Sequence, residues 1–220
     1  MGKSLRTGAF GTFYGNDYNS SSALTYDEMN HNAKYIYSAL TTKGWTINAI
    51  AALLGNMQVE SSLNPGRWQS DRVGGSSEGH GYSLVQWTPY TKYTEWCNDV
   101  GLYDPSHMDS AIARINYEVE NDIQWIGLGD FYGVSFREFS SSMMSPSTLA
   151  KAFMICYERP ADQSEEAQNY RGELAMSWYE YLKGVTPSDP SEGSKKGKRK
   201  YNFILFNARK RKNLWIRTHS

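Results

Sequence analysis

The stretch Gly-Asn-Met-Gln-Val-Glu-Ser-Ser-Leu-Asn-Pro, residues 55–65, contains the end of an apolar helical pattern. Upstream of it, Thr46 is a predicted N-cap. The apolar residues that follow the cap recur at the spacing of one helix face: Ile47, Ile50, Leu53, Leu54 and Met57. Glu60 then stands near the predicted end of the helix. The stretch therefore predicts a mostly buried helix whose last turn carries one acidic side chain.

Helical patterns of the same kind extend outward in both directions. Thr25 and Glu28 form a predicted capping box for a first helix that ends near Gly44. Further helices are predicted over about 90–100 and 107–123, from Ser145-Pro146 onward, and from Ser164 to Lys183-Gly184. Residues 64–88 are rich in glycine and poor in helix formers, so we expect a small β-hairpin region there. The predicted class is α+β, mostly helical.

Charge and composition divide the chain into four parts. Residues 1–24 form a polar N-terminal extension, and residues 25–185 form the predicted globular domain. A linker rich in Pro, Ser and Gly follows at 186–194, and a basic, aromatic tail occupies 195–220. The tail holds 10 of the 23 Lys and Arg residues, which leaves residues 1–194 with 13 basic and 23 acidic groups, a formal charge of −10.

Composition also argues against several classes of site and segment. No apolar run approaches the ~18 residues of a membrane span, and the N-terminus has no apolar core of a secretory signal. The four histidines show no metal-ligand spacing, so we expect no metal and no cofactor. Cys97 and Cys156 lie in apolar helical patterns and are predicted to be reduced core residues. The many aromatic residues suit packing in a core and also packing against sugar rings.

A carboxyl group near the end of a helix can act as a proton donor if its surroundings keep it neutral. The negative end of a helix disfavours the carboxylate form, and Met57, Trp68 and Trp87 are candidates to desolvate Glu60. Gln58 and Gln86 can hydrogen-bond a neutral acid without adding charge. Such a donor is what cleavage of a glycosidic bond requires, because a proton must reach the leaving oxygen.

Several segments resemble the lysozyme-like superfamily, and more closely the phage tail lysozyme family, the cell-wall hydrolases of phage tail tips. The superfamily pairs a Glu-Ser at a helix end with a later Gly-x-Gly-Leu-x-Gln-x-x-Pro segment. Here these are Glu60-Ser61 and residues 81–89. The segments similar to the tail lysozymes are Ala-Lys-Tyr-Ile (33–36), Gly44-Trp45, Leu-Gly-Asn-Met-Gln (54–58), Asn-Pro-Gly (64–66), Trp68-Gln69, Leu-Val-Gln-Trp-Thr-Pro (84–89) and Tyr-Glu-Arg-Pro (157–160). The similarity covers about residues 25–183.

The resemblance implies a role for individual residues. Glu60 would be the catalytic acid, and Gln86 and Trp87 would line the sugar cleft. The hydroxyl of Tyr157 would orient the carboxyl or a substrate group. Trp68 is a further candidate for substrate binding. Packing in the core remains the alternative for Trp87 and Tyr157. Ser83 departs from the pattern, which usually has glycine at this position.

The second group that the reaction needs is left open by the sequence. Asp71 and Glu78 are the candidates for a second carboxylate, and water activation by another group or an intramolecular anhydro product are the alternatives. The adjacent Glu158 and Arg159 are interpreted as a structural ion-pair corner.

The expected function is a lysozyme-type glycosidase that degrades bacterial peptidoglycan, carried in the phage tail and acting extracellularly on the host wall during DNA delivery. A non-catalytic wall-binding or structural tail component is the alternative. Possible partners are other phage tail proteins and, through residues 195–217, anionic wall polymers. The tail can also remain solvated or bind nucleic acid or membrane surfaces, but the acidic domain argues against a dedicated nucleic-acid site.

Overall fold

The computed structural model describes residues 3–17, 20–69, 79–102 and 104–190. Within these ranges the chain is mostly helical with one two-stranded antiparallel sheet, which confirms the predicted α+β class. The strands and helices in chain order are β1 (Ser4–Gly8), β2 (Gly11–Gly15), α1 (Tyr26–Thr41), α2 (Ile47–Ser61), α3 (Thr91–Asp99), α4 (Met108–Asn121), α5 (Phe136–Ser141), α6 (Pro146–Phe153) and α7 (Glu165–Lys183). A 3₁₀ turn covers Gly129–Phe131, and a π-helical turn covers Met154–Glu158.

The helices begin where side chains satisfy free backbone amides. Thr25 and Glu28 form the predicted capping box of α1. Thr46 caps α2 by accepting a hydrogen bond from the amide of Ala49, and Ser164 caps α7 in the same way. These caps confirm the predicted starts. Helix α5 was not predicted, although Ser135 and Glu138 give it a capping box as well.

Helix α2 runs through the centre of the core and packs against α6 and α7. Its middle is buried on all sides, as expected for a helix enclosed by others. Gly55 permits the closest approach to α7, because a Cβ there would lie 2.8 Å from the amide nitrogen of Ala175 and 2.9 Å from the carbonyl oxygen of Arg171. This close contact sets the position of Arg171 relative to the last turn of α2.

The regular β-hairpin of the described residues lies at the N-terminus. Its strands β1 and β2 pair from Ser4 opposite Gly15 to Gly8 opposite Gly11. Phe13 is fully buried, and Asn32 of α1 bonds both the amide and the carbonyl of Tyr14, at 2.7 and 2.8 Å. The segment predicted as a polar extension therefore packs on the helical core, because alternate side chains of β2 face inward.

The described part of residues 64–88 forms a folded loop with isolated bridges, Trp68 to Tyr82 and Tyr82 to Trp87, and no strand. Ser83 and Gln86 take left-handed backbone conformations, with φ of 73° and 49°. Such conformations interrupt a regular ladder between residues 82 and 87. Residues 70–78 of the predicted hairpin region lie outside the described residues.

Cys97 and Cys156 are free thiols buried in the core, as predicted. Burial raises the pKa of the Cys97 thiol to about 12, so it stays protonated at neutral pH.

Across the described ranges no helix has the length and apolar character to cross a membrane.

Candidate functional site

A groove of about 570 Å³ opens beside the last turn of α2. Its walls come from three parts of the chain: the end of α2, the loop that follows α2, and the segment after α6. The lining residues are Val59, Glu60, Arg67, Trp68, Gln69, Gly79, Gly81, Gln86, Thr88, Glu158, Arg159, Pro160 and Ala161. Many of these side chains are polar or charged, which suits a ligand rich in hydroxyl groups.

Glu60 reaches this groove because α2 ends abruptly after it. Ser62 and Leu63 both take left-handed conformations, with φ of 54° and 55°, and turn the chain away. Ser61 fastens the helix end to the following loop, since its hydroxyl donates to the carbonyl of Leu84 at 2.8 Å. The Glu60 side chain is 19% exposed and so remains accessible from the groove.

Arg171 of α7 is bonded to Glu60, a contact that sequence reasoning missed. Its Nη2 donates to Glu60 Oε1 at 2.6 Å, and its Nη1 donates to Asn56 Oδ1 at 2.9 Å. The Arg171 side chain is only 6% exposed, so solvent screens this pair weakly. The ion pair therefore places a nearly buried positive charge beside the Glu60 carboxyl group.

The expected apolar surroundings of Glu60 are only partly present. Met57 and Trp87 are buried in the core, and Trp87 is absent from the groove lining. The Gln58 side chain is used elsewhere instead of at the Glu60 carboxyl group, because its Oε1 accepts a hydrogen bond from Trp178 Nε1 at 2.8 Å.

Gln86 and Trp68, two of the predicted substrate contacts, border the groove with Glu60. The Gln86 amide donates to the carbonyls of Arg67 and Ser83, at 3.2 and 3.0 Å, and holds the loop folded. Trp68 has no exposed surface and packs against Tyr82 and Tyr90, so it supports the groove from behind. The roles of both residues in substrate binding stay predictions.

Trp87 and Tyr157 lie in the core instead, and both donate to Glu118. Trp87 is 3% exposed and donates from Nε1 to Glu118 Oε1 at 3.1 Å; Tyr157 is 2% exposed and donates from its hydroxyl to Oε2. Arg114 completes the group through an ion pair of 2.8 Å with Glu118. This geometry favours the packing alternative for both aromatic residues, and direct contact with substrate stays untested.

Burial dominates the electrostatics of this core group. It raises the pKa of Glu118, although the charge of Arg114 opposes the rise. Burial also raises the pKa of Tyr157 well above its ordinary value, and the nearby charge of Glu118 adds to the effect. Glu118 joins the loop after α2 to the π-helical turn, and it was not among the predicted residues.

Glu158, at the end of the π-helical turn, lies in the groove with Glu60. Its Oε1 is buried and has no hydrogen-bond partner within the described ranges. Burial raises the pKa of Glu158 well above its ordinary value, and the negative charge of Glu60 raises it further, while Arg171 opposes both. π-Helical turns recur at functional sites, so the turn itself indicates a functional role for this segment.

The predicted ion-pair corner of Glu158 and Arg159 is not what the structure shows. Arg159 takes a left-handed conformation with φ of 50°, and its Nη1 donates to the carbonyls of Gln124 and Cys156. Of the ion pairs between described residues, none joins it to Glu158. The guanidinium therefore caps the turn, and the Glu158 carboxyl is left without that partner.

Asp71 and Glu78, the predicted second carboxylates, lie outside the described residues. In the part of the chain that is described, no group of three or more His, Cys, Asp or Glu side chains is placed to hold a metal ion.

Comparison with known proteins identifies the relatives of this chain. A sequence model of the phage tail lysozyme family matches residues 31–182. Morphogenesis protein 1 of Bacillus phage B103 is 46% identical over 167 residues, which are 76% of this chain and 43% of the phage protein. The chain thus spans less than half the length of this relative. The match includes α2, all of α7 except its last residue and the whole lining of the groove, and on these grounds the chain belongs to the phage tail lysozyme family.

Proposed function

We propose that this protein is a peptidoglycan-degrading glycosidase in which Glu60 is the general acid. One observation carries the proposal: the last turn of α2 presents a partly exposed carboxyl to a polar groove of about 570 Å³. Family membership supplies the substrate class, since lysozymes act on the glycan strands of the bacterial wall. A groove of this size lies within the ~300–1,000 Å³ range of small-molecule sites.

The chemistry needs a proton at the glycosidic oxygen while positive charge develops at the anomeric carbon. Glu60 is the groove carboxyl that stands at the end of a helix, as in the motif of the superfamily. Polar side chains from the loop after α2, Gln69 and Gln86, line the same groove and are candidates to hold sugar hydroxyls. A carboxylate at Glu60 after proton transfer would be stabilised by Arg171, which lowers the barrier to giving up the proton.

Arg67 offers the groove a positive charge for a substrate anion. It is half-buried, its Nη1 donates to the Ser62 hydroxyl at 2.7 Å, and burial lowers its pKa. Peptidoglycan carries carboxylates on its peptide stems, and a partly desolvated guanidinium binds such groups well. Arg67 therefore supports a peptidoglycan substrate over a neutral polysaccharide.

A non-catalytic wall-binding or structural tail component is the second candidate. The observation in its favour is the ion pair between Glu60 and Arg171, which gives Glu60 a structural reason to be present.

Substitution of Glu60 by Gln decides between the two candidates. Gln is close to Glu in shape and can still accept the Arg171 bond, but it cannot donate an acidic proton. We expect E60Q to fold and to bind purified peptidoglycan while its release of soluble fragments falls at least ~100-fold. The exposed Glu173→Gln on α7 is the charge-matched control and should retain full activity.

Mass spectrometry of the released fragments tests the reaction itself. Reducing ends identify hydrolysis, and anhydro ends identify transglycosylation. If wild-type protein binds the wall but releases no fragments, the structural candidate is correct; if E60Q digests the wall like wild type, Glu60 is not the acid.

We also propose that the protein works from the phage virion, as a tail component that opens the host wall from outside during DNA delivery. The relative named as a morphogenesis protein of a Bacillus phage supports a role in the particle. Proteomic analysis of purified virions is the test, and absence of this chain from intact particles would reject the location.

A further inference from the structure

The ion pair of Glu60 with Arg171 places a positive charge beside the proposed acid. Arg171 Nη2 donates to Glu60 Oε1 at 2.6 Å, and the guanidinium is almost completely buried. A general acid must be protonated when substrate is bound. The proton must therefore be kept close by, on a group that can exchange it with Glu60.

Glu158 is the group in the groove best suited to keep that proton. It faces the same space as Glu60, and its buried Oε1 has no partner among the described residues. An ionised carboxylate with an oxygen in this position would lose its hydration without compensation, whereas a neutral carboxyl loses far less. Arg159, the neighbouring cation, is turned toward backbone carbonyls instead.

Charged groups from several elements act on Glu158. Glu60 of α2 and Glu118 of α4 are negative and favour its neutral form. Arg171 of α7 and Arg159, which follows the turn, are positive and oppose them, but both Nη atoms of Arg171 already donate to Glu60 and Asn56. Two carboxyl groups that line one groove and repel each other cannot both ionise easily, so one proton remains with the pair.

We propose that Glu158 is the proton reservoir of Glu60: the two carboxyl groups share one proton, which Glu158 holds while Glu60 is bonded to Arg171 and which Glu60 receives when substrate binds. Glu158 is thus a positioning residue that acts through Glu60. The inference rests on the proposed function, because it explains how Glu60 can be a general acid beside an arginine. It also assigns the second carboxyl of the site to a residue other than Asp71 or Glu78.

The proton moves in two steps. When substrate fills the groove, an O–H bond breaks on Glu158 and forms on Glu60, which gives up its bond to Arg171. Glu60 then passes the proton to the glycosidic oxygen as the bond from the anomeric carbon breaks, and the electron pair of that bond stays on the leaving oxygen. Water, or a hydroxyl of the same sugar, adds to the anomeric carbon and loses a proton, which returns to the carboxyl pair.

The pH profile of kcat/KM on soluble glycan fragments tests the sharing. In Glu158→Gln the reservoir is replaced by a neutral side chain of the same shape, so Glu60 must hold its proton alone beside Arg171. We expect the alkaline limb of the profile to move to lower pH, with activity falling about tenfold for each unit of the shift. Arg171→Met should move the limb in the opposite direction, and Glu173→Gln should leave it in place.

The outcomes separate this inference from the proposed function. If wild type is active, E60Q is inactive and the alkaline limb of the pH profile does not move in E158Q, then Glu158 is not a proton reservoir. The proposed glycosidase function would still stand. A wild type without activity would reject the proposed function.

Carbon-13 NMR of the glutamate carboxyl groups tests the reservoir without any substrate and without an E158Q protein. In an E118Q background, which removes the buried glutamate of α4, one resonance should titrate at higher pH than the exposed glutamates. If every resonance in that spectrum titrates like an exposed carboxyl, Glu158 does not store a proton.

Discussion

Arg171 and Glu60 are 111 residues apart in the chain and meet across 2.6 Å, joining α7 to the last turn of α2. The same guanidinium also binds Asn56, one turn earlier in α2. A single side chain therefore aligns the end of α2 with α7 and places a positive charge beside the groove carboxyl. Its position depends on Gly55, where α7 comes closest to the backbone of α2.

A double-mutant cycle on Glu60 and Arg171 should measure their coupling. The pair is shielded from solvent on the arginine side, but Glu60 keeps 19% of its side-chain surface, so we expect a coupling free energy of about 1–3 kcal/mol. E60Q, R171M and the double variant would be unfolded in urea, with E173Q as the control. A coupling energy near zero would show that the contact contributes nothing to the free energy of unfolding.

Gly55→Ala should loosen the contact between α2 and α7. The added methyl group would lie within 3 Å of two backbone atoms of α7, which can yield only if the helices separate. We expect a loss of about 1–3 kcal/mol of unfolding free energy and a weaker Glu60–Arg171 coupling. Gly184→Ala is the control, since its Cβ would meet only the carbonyl oxygen of Tyr181, at 3.7 Å. Equal stability of the two variants would contradict the packing argument.

The stability of the protein should fall as pH rises above the range in which ordinary glutamates ionise. Glu158 has a raised pKa in the folded protein, so above the pKa of the unfolded chain the folded state binds more protons than the unfolded state. The stabilisation is complete below the unfolded pKa and is lost as pH rises through the folded pKa, at up to about 1.4 kcal/mol per pH unit.

Urea unfolding of wild type and E158Q between about pH 4 and pH 8 would measure this dependence. Because the glutamine side chain of the E158Q variant does not titrate, the difference in unfolding free energy between the variant and wild type should shift in favour of E158Q as pH rises. A difference that stays constant across the range would mean that Glu158 ionises alike in both states.

Much of this fold can be predicted from local patterns. The caps at Thr25, Thr46 and Ser164 depend on residues three positions apart, and the predicted helix starts agree with the structure. The N-terminal hairpin was not predicted, because its segment is polar and glycine-rich and resembles an extension. The described part of residues 64–88 forms isolated bridges and left-handed positions, and residues 70–78 lie outside the described residues, so the hairpin predicted there stays a prediction.

The site residues likewise include some that local patterns predict and others that depend on tertiary contacts. Glu60 and Gln86 follow from motifs, but Arg171 is one arginine in an ordinary amphipathic helix, and nothing near it in the sequence indicates its partner. Glu158 depends on a π-helical turn, in which the extra residue rotates the side chain toward the groove. The Tyr-Glu-Arg-Pro motif drew attention to this position, but tertiary contacts decide which of its residues faces the groove.

Ser83→Gly should stabilise the loop beside the groove. Ser83 is fully buried with φ of 73°, a conformation that is strained for a residue with a Cβ atom and free of strain for glycine. We expect a gain of roughly 1 kcal/mol in unfolding free energy, visible as a rise of a few degrees in Tm. Buried Ser61→Gly on α2 is a matched control that should destabilise, and a loss of stability in Ser83→Gly as well would refute the strain.

Tyr157→Phe should act through stability and not through substrate binding. The change removes the hydroxyl that donates to Glu118 and leaves a buried carboxylate oxygen short of one donor. We expect a loss of about 1–3 kcal/mol of unfolding free energy, with KM for glycan fragments within about twofold of wild type. Gln86→Ala, on the groove wall, is the contrasting variant and should raise KM. A large rise of KM in Tyr157→Phe with unchanged stability would restore the predicted substrate contact.

Removal of residues 195–220 should weaken attachment to whole cell walls and spare turnover of soluble fragments. The deleted segment carries ten basic residues, and anionic wall polymers attract it only when salt is low, because added salt screens the charges. We expect wall binding by the full chain to fall steeply as salt rises and the shortened chain to show little salt dependence. Replacing Phe203 and Leu205 by Ser keeps the charge and should preserve binding. If the shortened chain binds walls as tightly as the full chain at low salt, electrostatic adhesion is not the function of the tail.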